Sequence, residues 1–218
     1  MIHEHIVQFF ESFEDENHIY MILELCDNET LKEILDIRKY ISESDSRYFL
    51  LQVLKAVEFI HSNHIIHHDL KLGNIFLKDN ICKVGDFGMA YQITSKDEYV
   101  NQRRFCGTPN YISPEMLNKT EVIGFEVDIW SLGVMLFAML FGKPPFQTKT
   151  LEETYRRISA NYWKFPINND QVSEDARDLI TMILKKYPPE RPSINHIISH
   201  PFFLLNQTDN PHLLETQF

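Results

Sequence analysis

At 218 residues the chain is long enough for one large domain with its own core. Its 44% hydrophobic and 24% charged residues exclude a disordered chain, and a net charge of −10 argues against nucleic acid or an anionic membrane surface as partner. The three cysteines, Cys26, Cys82 and Cys106, have no metal-type spacing, and the odd count predicts a reducing, intracellular compartment.

The start, Met1-Ile2-His3-Glu4-His5, lacks the basic and apolar regions of a secretory signal. Residues 6–13 and 19–25 are rich in β-branched and aromatic side chains. The acidic turn Glu14-Asp15-Glu16-Asn17 between them predicts a β-hairpin. Such a hairpin is marginal alone, and Phe9, Phe10, Phe13 and Tyr20 would stand partly bare. Beyond Leu25 the pattern turns helical. Ser42 and Asp45 predict a capping box ahead of an apolar face at Leu50, Val53, Val57 and Ile60. Residues 65–66, 75–77 and 82–84 read as short strands, and 90–111 as a long functional loop. Residues 128–141 are apolar nearly all round, which predicts a central buried helix. The apolar run at 129–141 falls short of the ~20 residues that span a bilayer. Turns follow at Gly142-Lys143-Pro144-Pro145 and Tyr187-Pro188-Pro189.

Two short words carry chemistry. His67-His68-Asp69-Leu70-Lys71-Leu72-Gly73-Asn74 places a carboxylate, an ammonium and a carboxamide within six residues. Asp86-Phe87-Gly88 follows. Asp69 can orient a hydroxyl, Lys71 can sit beside a transferring phosphoryl group, and Asn74 and Asp86 offer the hard oxygens that Mg²⁺ prefers. Alone, either word is weak, because loop aspartates are usually turn formers or helix caps. The ordered set is specific: the two words, then Gly107-Thr108-Pro109-x-Tyr111-x-Ser113-Pro114-Glu115, then Asp128-x-Trp130-Ser131-x-Gly133, then Arg191.

On these motifs the chain resembles the polo-like serine/threonine protein kinases, from about His3 to about Phe203. Glu24-Leu25-Cys26, Cys106-Gly107-Thr108-Pro109-Asn110-Tyr111 and Gly142-Lys143-Pro144-Pro145-Phe146 carry the likeness further. The resemblance implies an α+β protein-kinase fold: a mainly helical C-terminal lobe over residues 28–218, and a remnant β-hairpin and hinge over residues 1–27. It implies transfer of phosphate from ATP, with Mg²⁺, to Ser or Thr of protein substrates, the acceptor class following from the Asp-Leu-Lys context of Lys71, and a role tied to the cell cycle. Asp69, Lys71 and Thr108 would be catalytic, Thr108 bridging the other two. Asn74 and Asp86 would hold the metal. Leu23 would be the gatekeeper, Glu24 to Cys26 the hinge whose backbone bonds adenine, and Phe76 the pocket floor. Asp128 would hold the catalytic-loop backbone, Glu115 would pair with Arg191, and Phe9, His67 and Phe87 would stack as a spine. The plain alternative for Phe9 and Phe76 is ordinary core.

Four departures from the family pattern stand out. No Gly-rich loop, strand lysine or partner glutamate precedes His3, and no phosphopeptide-docking module follows the last helix. His68 stands where the family has an arginine, and Arg104 where it has an activating threonine. The paired change predicts that activation does not depend on phosphate at position 104, since an arginine there leaves no phosphate to bind. Two rival readings stay open from the residues: a catalytically inactive, kinase-like interaction module, and a truncated gene product.

Overall fold

A computed structural model describes residues 2–93, 107–118, 123–167 and 171–204. Arg104 and Cys106 lie outside them, so the expectation built on Arg104 has no structural account here. Strands β1 (Phe9–Glu14) and β2 (Ile19–Leu23) form an antiparallel hairpin, with a register shift between Phe9 and Glu11. Asp15 makes the turn: its Oδ1 accepts from the amides of Asn17 and His18, each at 2.8 Å, and its Oδ2 accepts from the Tyr20 hydroxyl. The Asn17 amide bond, then the Tyr20 hydroxyl and the His18 amide, hold the Asp15 carboxyl below its ordinary range.

The first helix, α1 (Leu31–Arg38), starts at a full capping box, Thr30 with Glu33. The cap predicted at Ser42 opens α2 (Glu43–Ser62), where Ser42 Oγ accepts from the Asp45 amide. The Asp45 carboxylate lies instead 3.5 Å from Arg38, since aspartate is one methylene too short for the usual return bond. Short strands β3 (Ile65–Ile66), β4 (Ile75–Lys78), β5 (Ile81–Val84) and β6 (Tyr91–Gln92) follow. They pair antiparallel as β4 with β5 and β3 with β6. The first part of the predicted 90–111 loop is thus a strand. Its two residues find backbone partners in Ile65 and Ile66, which local composition does not show.

After α3 (Pro114–Leu117) comes α4 (Glu126–Phe141), buried from Val127 to Leu140. It starts two residues before the predicted position. Helices α5 (Leu151–Ala160), α6 (Glu174–Ile183), α7 (Ile194–Ile198) and α8 (Pro201–Leu204) complete the described body. α4 packs between α2 and α6. Val53, Val57 and Ile60 of α2 are fully buried, as their spacing predicts. Each such side chain contributes about 1.5–3 kcal/mol on burial. No helix among the described residues is long and apolar enough to cross a membrane.

Every residue of β1 and β2 is exposed. With few buried contacts to hold it shut, the hairpin should exchange its amide hydrogens fastest, and α4 slowest. Residue-resolved hydrogen exchange on the purified chain checks this; slower exchange in the hairpin than in α4 would contradict it.

The segment just before β1 docks on β5. Val7 N donates to Val84 O at 2.9 Å, and Val84 N to His5 O at 2.9 Å, giving a parallel bridge at Ile6. His5 is buried, and its Nδ1 lies 3.2 Å from the Cys82 carbonyl, to which it donates. The His5 amide donates to His3 Nδ1 at 3.1 Å, and the His3 ring stacks on Phe59. Burial, the largest cause, holds both imidazoles below their ordinary value of 6.5; Lys55 adds to it for both rings and Lys83 for His3, while Glu4 opposes. A proton on His3 Nδ1 would also set two donors face to face. Because the folded values are depressed, this docking contributes fully above pH 6.5 and is lost as pH falls through the folded values. Protection of the Val7 and Val84 amides, corrected for intrinsic exchange, should fall between about pH 8 and about pH 5. His3→Gln should flatten that dependence. Equal protection at both ends would sink the expectation.

Candidate functional site

The chain between β3 and β4 bends sharply, with His68 in the left-handed backbone region (φ 66°). Asp128, at the start of the buried helix α4, holds that bend. Its Oδ2 accepts from the His67 amide at 2.9 Å and its Oδ1 from the His68 amide at 3.0 Å. His61, in the last turn of α2, adds a bond from Nε2 to Oδ2 at 2.8 Å. Burial pushes the Asp128 carboxyl upward most strongly, but His61, His67 and the amide bond outweigh it and hold it below the ordinary range. Sequence does not single out His61, because a histidine near a helix end carries no signal of a carboxylate 67 positions away.

Within this loop the predicted polar residues meet. Lys71 Nζ lies 2.6 Å from Asp69 Oδ2 and donates to Thr108 Oγ1 at 2.9 Å. Thr108 donates twice to Asp69 Oδ1, from its amide and its hydroxyl, each at 2.8 Å. Asn74 Nδ2 donates to the Asp69 carbonyl at 2.9 Å and to Asp69 Oδ2 at 3.2 Å. The Asp69 carboxylate therefore accepts four contacts, three from side chains and one from the Thr108 amide, which fixes its rotamer. Thr108 can approach so closely because Gly107 precedes it. Gly107 has φ 103°, and a Cβ there would stand 2.9 Å from the His68 carbonyl oxygen.

Gly85 joins this loop to the second word. Its amide donates to the Asn74 carbonyl at 3.0 Å, and its carbonyl accepts from His67 Nε2 at 3.1 Å. His67 Nδ1 accepts from the Asp69 amide, which assigns the ring proton to Nε2. A Cβ on Gly85 would fall 2.9 Å from both the Phe76 ring and Val7, so only glycine lets these walls close here. Asp86 follows in the left-handed region (φ 59°), exposed, with Oδ1 near the Gly88 amide. His67 also packs on Phe87, with ring centroids 4.9 Å apart. Phe9 does not complete the expected stack. It is 47% exposed and makes no ring contact with Phe87, because among the described residues nothing covers the hairpin face that carries it.

A cavity of about 840 Å³ opens between the hairpin and β4–β5. Leu23, Glu24, Cys26, Phe76 and Asp86 line it, with Ile6, Val7, Met21 and Gly85. Its walls are mainly apolar, and among the described residues no lysine or arginine lines it. Burial, then Glu24, pushes the Cys26 thiol up, so it stays a thiol in this wall. Among the described residues, Asn74 and Asp86 are the predicted pair that could hold a metal. Both NH₂ bonds of Asn74 go to Asp69, which leaves its side-chain oxygen as the ligand atom, and Asp86 is exposed to the cavity. Two oxygen ligands suit Mg²⁺, which usually takes one or two carboxylates and fills its shell with water and phosphate.

Residues 1–203 match the model of the protein kinase domain. The chain belongs to the protein kinase family. Polo-like kinases are among its relatives. The chain is 42% identical over 201 residues to the "Probable serine/threonine-protein kinase PLK" of Dictyostelium discoideum, covering 92% of this chain and 20% of that protein. It is 45% identical over 205 residues to the "Cell cycle serine/threonine-protein kinase CDC5/MSD2" of Saccharomyces cerevisiae, covering 93% and 29%. It is 42% identical over 203 residues to the "Serine/threonine-protein kinase polo" of Drosophila melanogaster, covering 92% and 34%. The chain thus spans about a fifth to a third of the length of these relatives. As a protein kinase domain it is of a class that uses ATP and Mg²⁺. The resemblance read from the motifs and the mainly helical kinase fold both hold.

A fully buried ion pair braces the helical body. Arg191 makes a bidentate bridge to Glu115 at 2.6 and 2.7 Å, both side chains fully buried. Its remaining N–H groups donate to the carbonyls of Lys185, Lys186 and Glu126, so all five donors are used. The guanidinium also lies over the Trp130 ring at 5.0 Å. This ties α3 to the start of α4 and so supports the segment that carries Thr108.

Proposed function

We propose that this chain transfers the γ-phosphoryl group of ATP to Ser or Thr hydroxyls of proteins, as the catalytic body of a polo-like kinase acting in control of cell division. The observation that carries this reading is the Asp69–Lys71–Thr108–Asn74 cluster, joined through Gly85 to Asp86 at the cavity. Asp69 orients the attacking hydroxyl and takes up its proton. Lys71, pinned by Asp69 and Thr108, places a positive charge beside the group in transit. Asn74 and Asp86 supply oxygens for Mg²⁺, which when bound neutralises charge on the phosphates. Leu23, the backbone of Glu24 to Cys26, and Phe76 enclose adenine. The division into residues 1–27 and 28–218 then separates the cavity roof from the part that carries the transfer residues. An acidic protein of this type acts inside the cell on protein substrates, not on nucleic acid.

Since no cation among the described residues lines the cavity, its grip on phosphates should be weak, and the 218-residue chain should bind Mg·ATP more weakly than low micromolar. Calorimetric titration measures the affinity, and amide chemical shifts locate the ligand. Shifts at Leu25, Cys26 and Gly85 are expected. Low-micromolar affinity would contradict the argument from charge. No shift at those amides would favour the non-catalytic interaction module.

A further inference from the structure

Glu24 carries a side chain that the transfer chemistry leaves unused. It is the residue after β2, where the chain crosses from the hairpin to the helical body. Its Oε1 lies 3.0 Å from Lys78 Nζ on β4 and 3.1 Å from Lys83 Nζ on β5. Its Oε2 accepts from the Gln8 amide at 3.2 Å, and its own amide donates to the Gln8 carbonyl at 2.7 Å. One carboxylate therefore joins both chain ends of the hairpin to the β4–β5 pair. Among the described residues, the other polar ties between residues 2–25 and the rest are those of residues 5–7 with Cys82 and Val84.

The charges are unequal. Two ammoniums share one carboxylate, and the Glu24 and Lys83 side chains are only 12% and 13% exposed, against 40% for Lys78. Removing the carboxylate charge would leave a nearly buried ammonium beside a second one, which is costly, whereas removing one lysine leaves a matched pair. Lys83 also sits three residues before Asp86 on the same run of chain. The rim of the cavity and the start of the metal-binding loop are thus fastened to one strand.

We propose that Glu24 is a positioning residue: its carboxylate, held between Lys78 and Lys83, locks residues 24–26 against β4–β5 and so sets the rim of the cavity that receives adenine. The word adenine rests on the function proposed above; the lock does not. Amide exchange at residues 8 and 24–26, and titration with adenosine, test it in the 218-residue chain. Glu24→Gln keeps the shape and loses the charge. It should speed exchange there by about tenfold and weaken adenosine binding by a similar factor, with α4 unchanged. Lys83→Met should have a smaller effect. The double variant Glu24→Gln/Lys83→Met should regain part of the protection that Glu24→Gln loses, a recovery that lost packing would not produce. If Glu24→Gln fails to fold, Lys78→Met/Lys83→Met, which strands the carboxylate, should loosen the same amides. Unchanged exchange in Glu24→Gln, or a double variant as loose as the two losses summed, would overturn the lock. Failure of the unsubstituted chain to bind adenosine would count against the nucleotide reading alone, and the exchange comparison would still decide on the lock.

Discussion

Asp69→Asn and Asp86→Ala should each lower phosphate transfer to a Ser-containing peptide by about a thousandfold or more, when these residues are fused behind the nucleotide-gripping lobe of a polo-like relative. The geometry makes Asp69→Asn severe for a specific reason. Oδ1 accepts from Thr108 and Oδ2 from Lys71 and Asn74, so an amide NH₂ in either place meets donors. The cluster would open, and Lys71 would lose the partner that holds it. Asp86→Ala removes the only carboxylate proposed as a metal ligand, while its neighbour Gly85 keeps both loops tied. Radiolabel transfer to matched peptides ending in Ser or Tyr measures the loss and the acceptor preference together. Turnover within about tenfold of the unsubstituted fusion in either variant would contradict the roles assigned.

A large loss of stability, without a direct effect on the site, is expected from Arg191→Lys. Lysine cannot supply the fork that Glu115 accepts, nor reach the three carbonyls that Arg191 also satisfies. Breaking one side of a buried pair costs about 3–5 kcal/mol, since the other charge stays buried without a match. In a domain of this size that lowers the thermal midpoint by roughly 10 °C. Glu115→Gln should act similarly, and the apolar pair Glu115→Leu/Arg191→Met should recover part of the loss. Thermal denaturation followed by circular dichroism checks the order. A drop of under about 1 kcal/mol for Arg191→Lys would place the pair among those of little weight.

Much of this protein is readable in its residue order because the signals are local. Asp69, Lys71 and Asn74 fall within six positions, so one loop can present all three. The apolar girth of α4 and the one-sided face of α2 follow from side-chain period, since a helix buries whatever stripe it presents. The exposed aromatic hairpin follows from strand composition in the same way. Position along the chain does not carry what holds these pieces together. His61 reaches Asp128 across 67 positions, and Glu24 reaches Lys78 and Lys83 across more than 50. Gly85 spends both backbone groups on the loop before it, and β6 exists only because β3 offers it an edge. Phe9 shows the converse: its motif position implied a buried stack, but burial depends on a covering surface that a side chain's own identity does not supply. Local spacing sets which groups can share a loop or a face. Whether a carboxylate there is saturated, stapled or open depends on partners brought in by packing of the helical body, and those contacts form only once the chain has closed on itself.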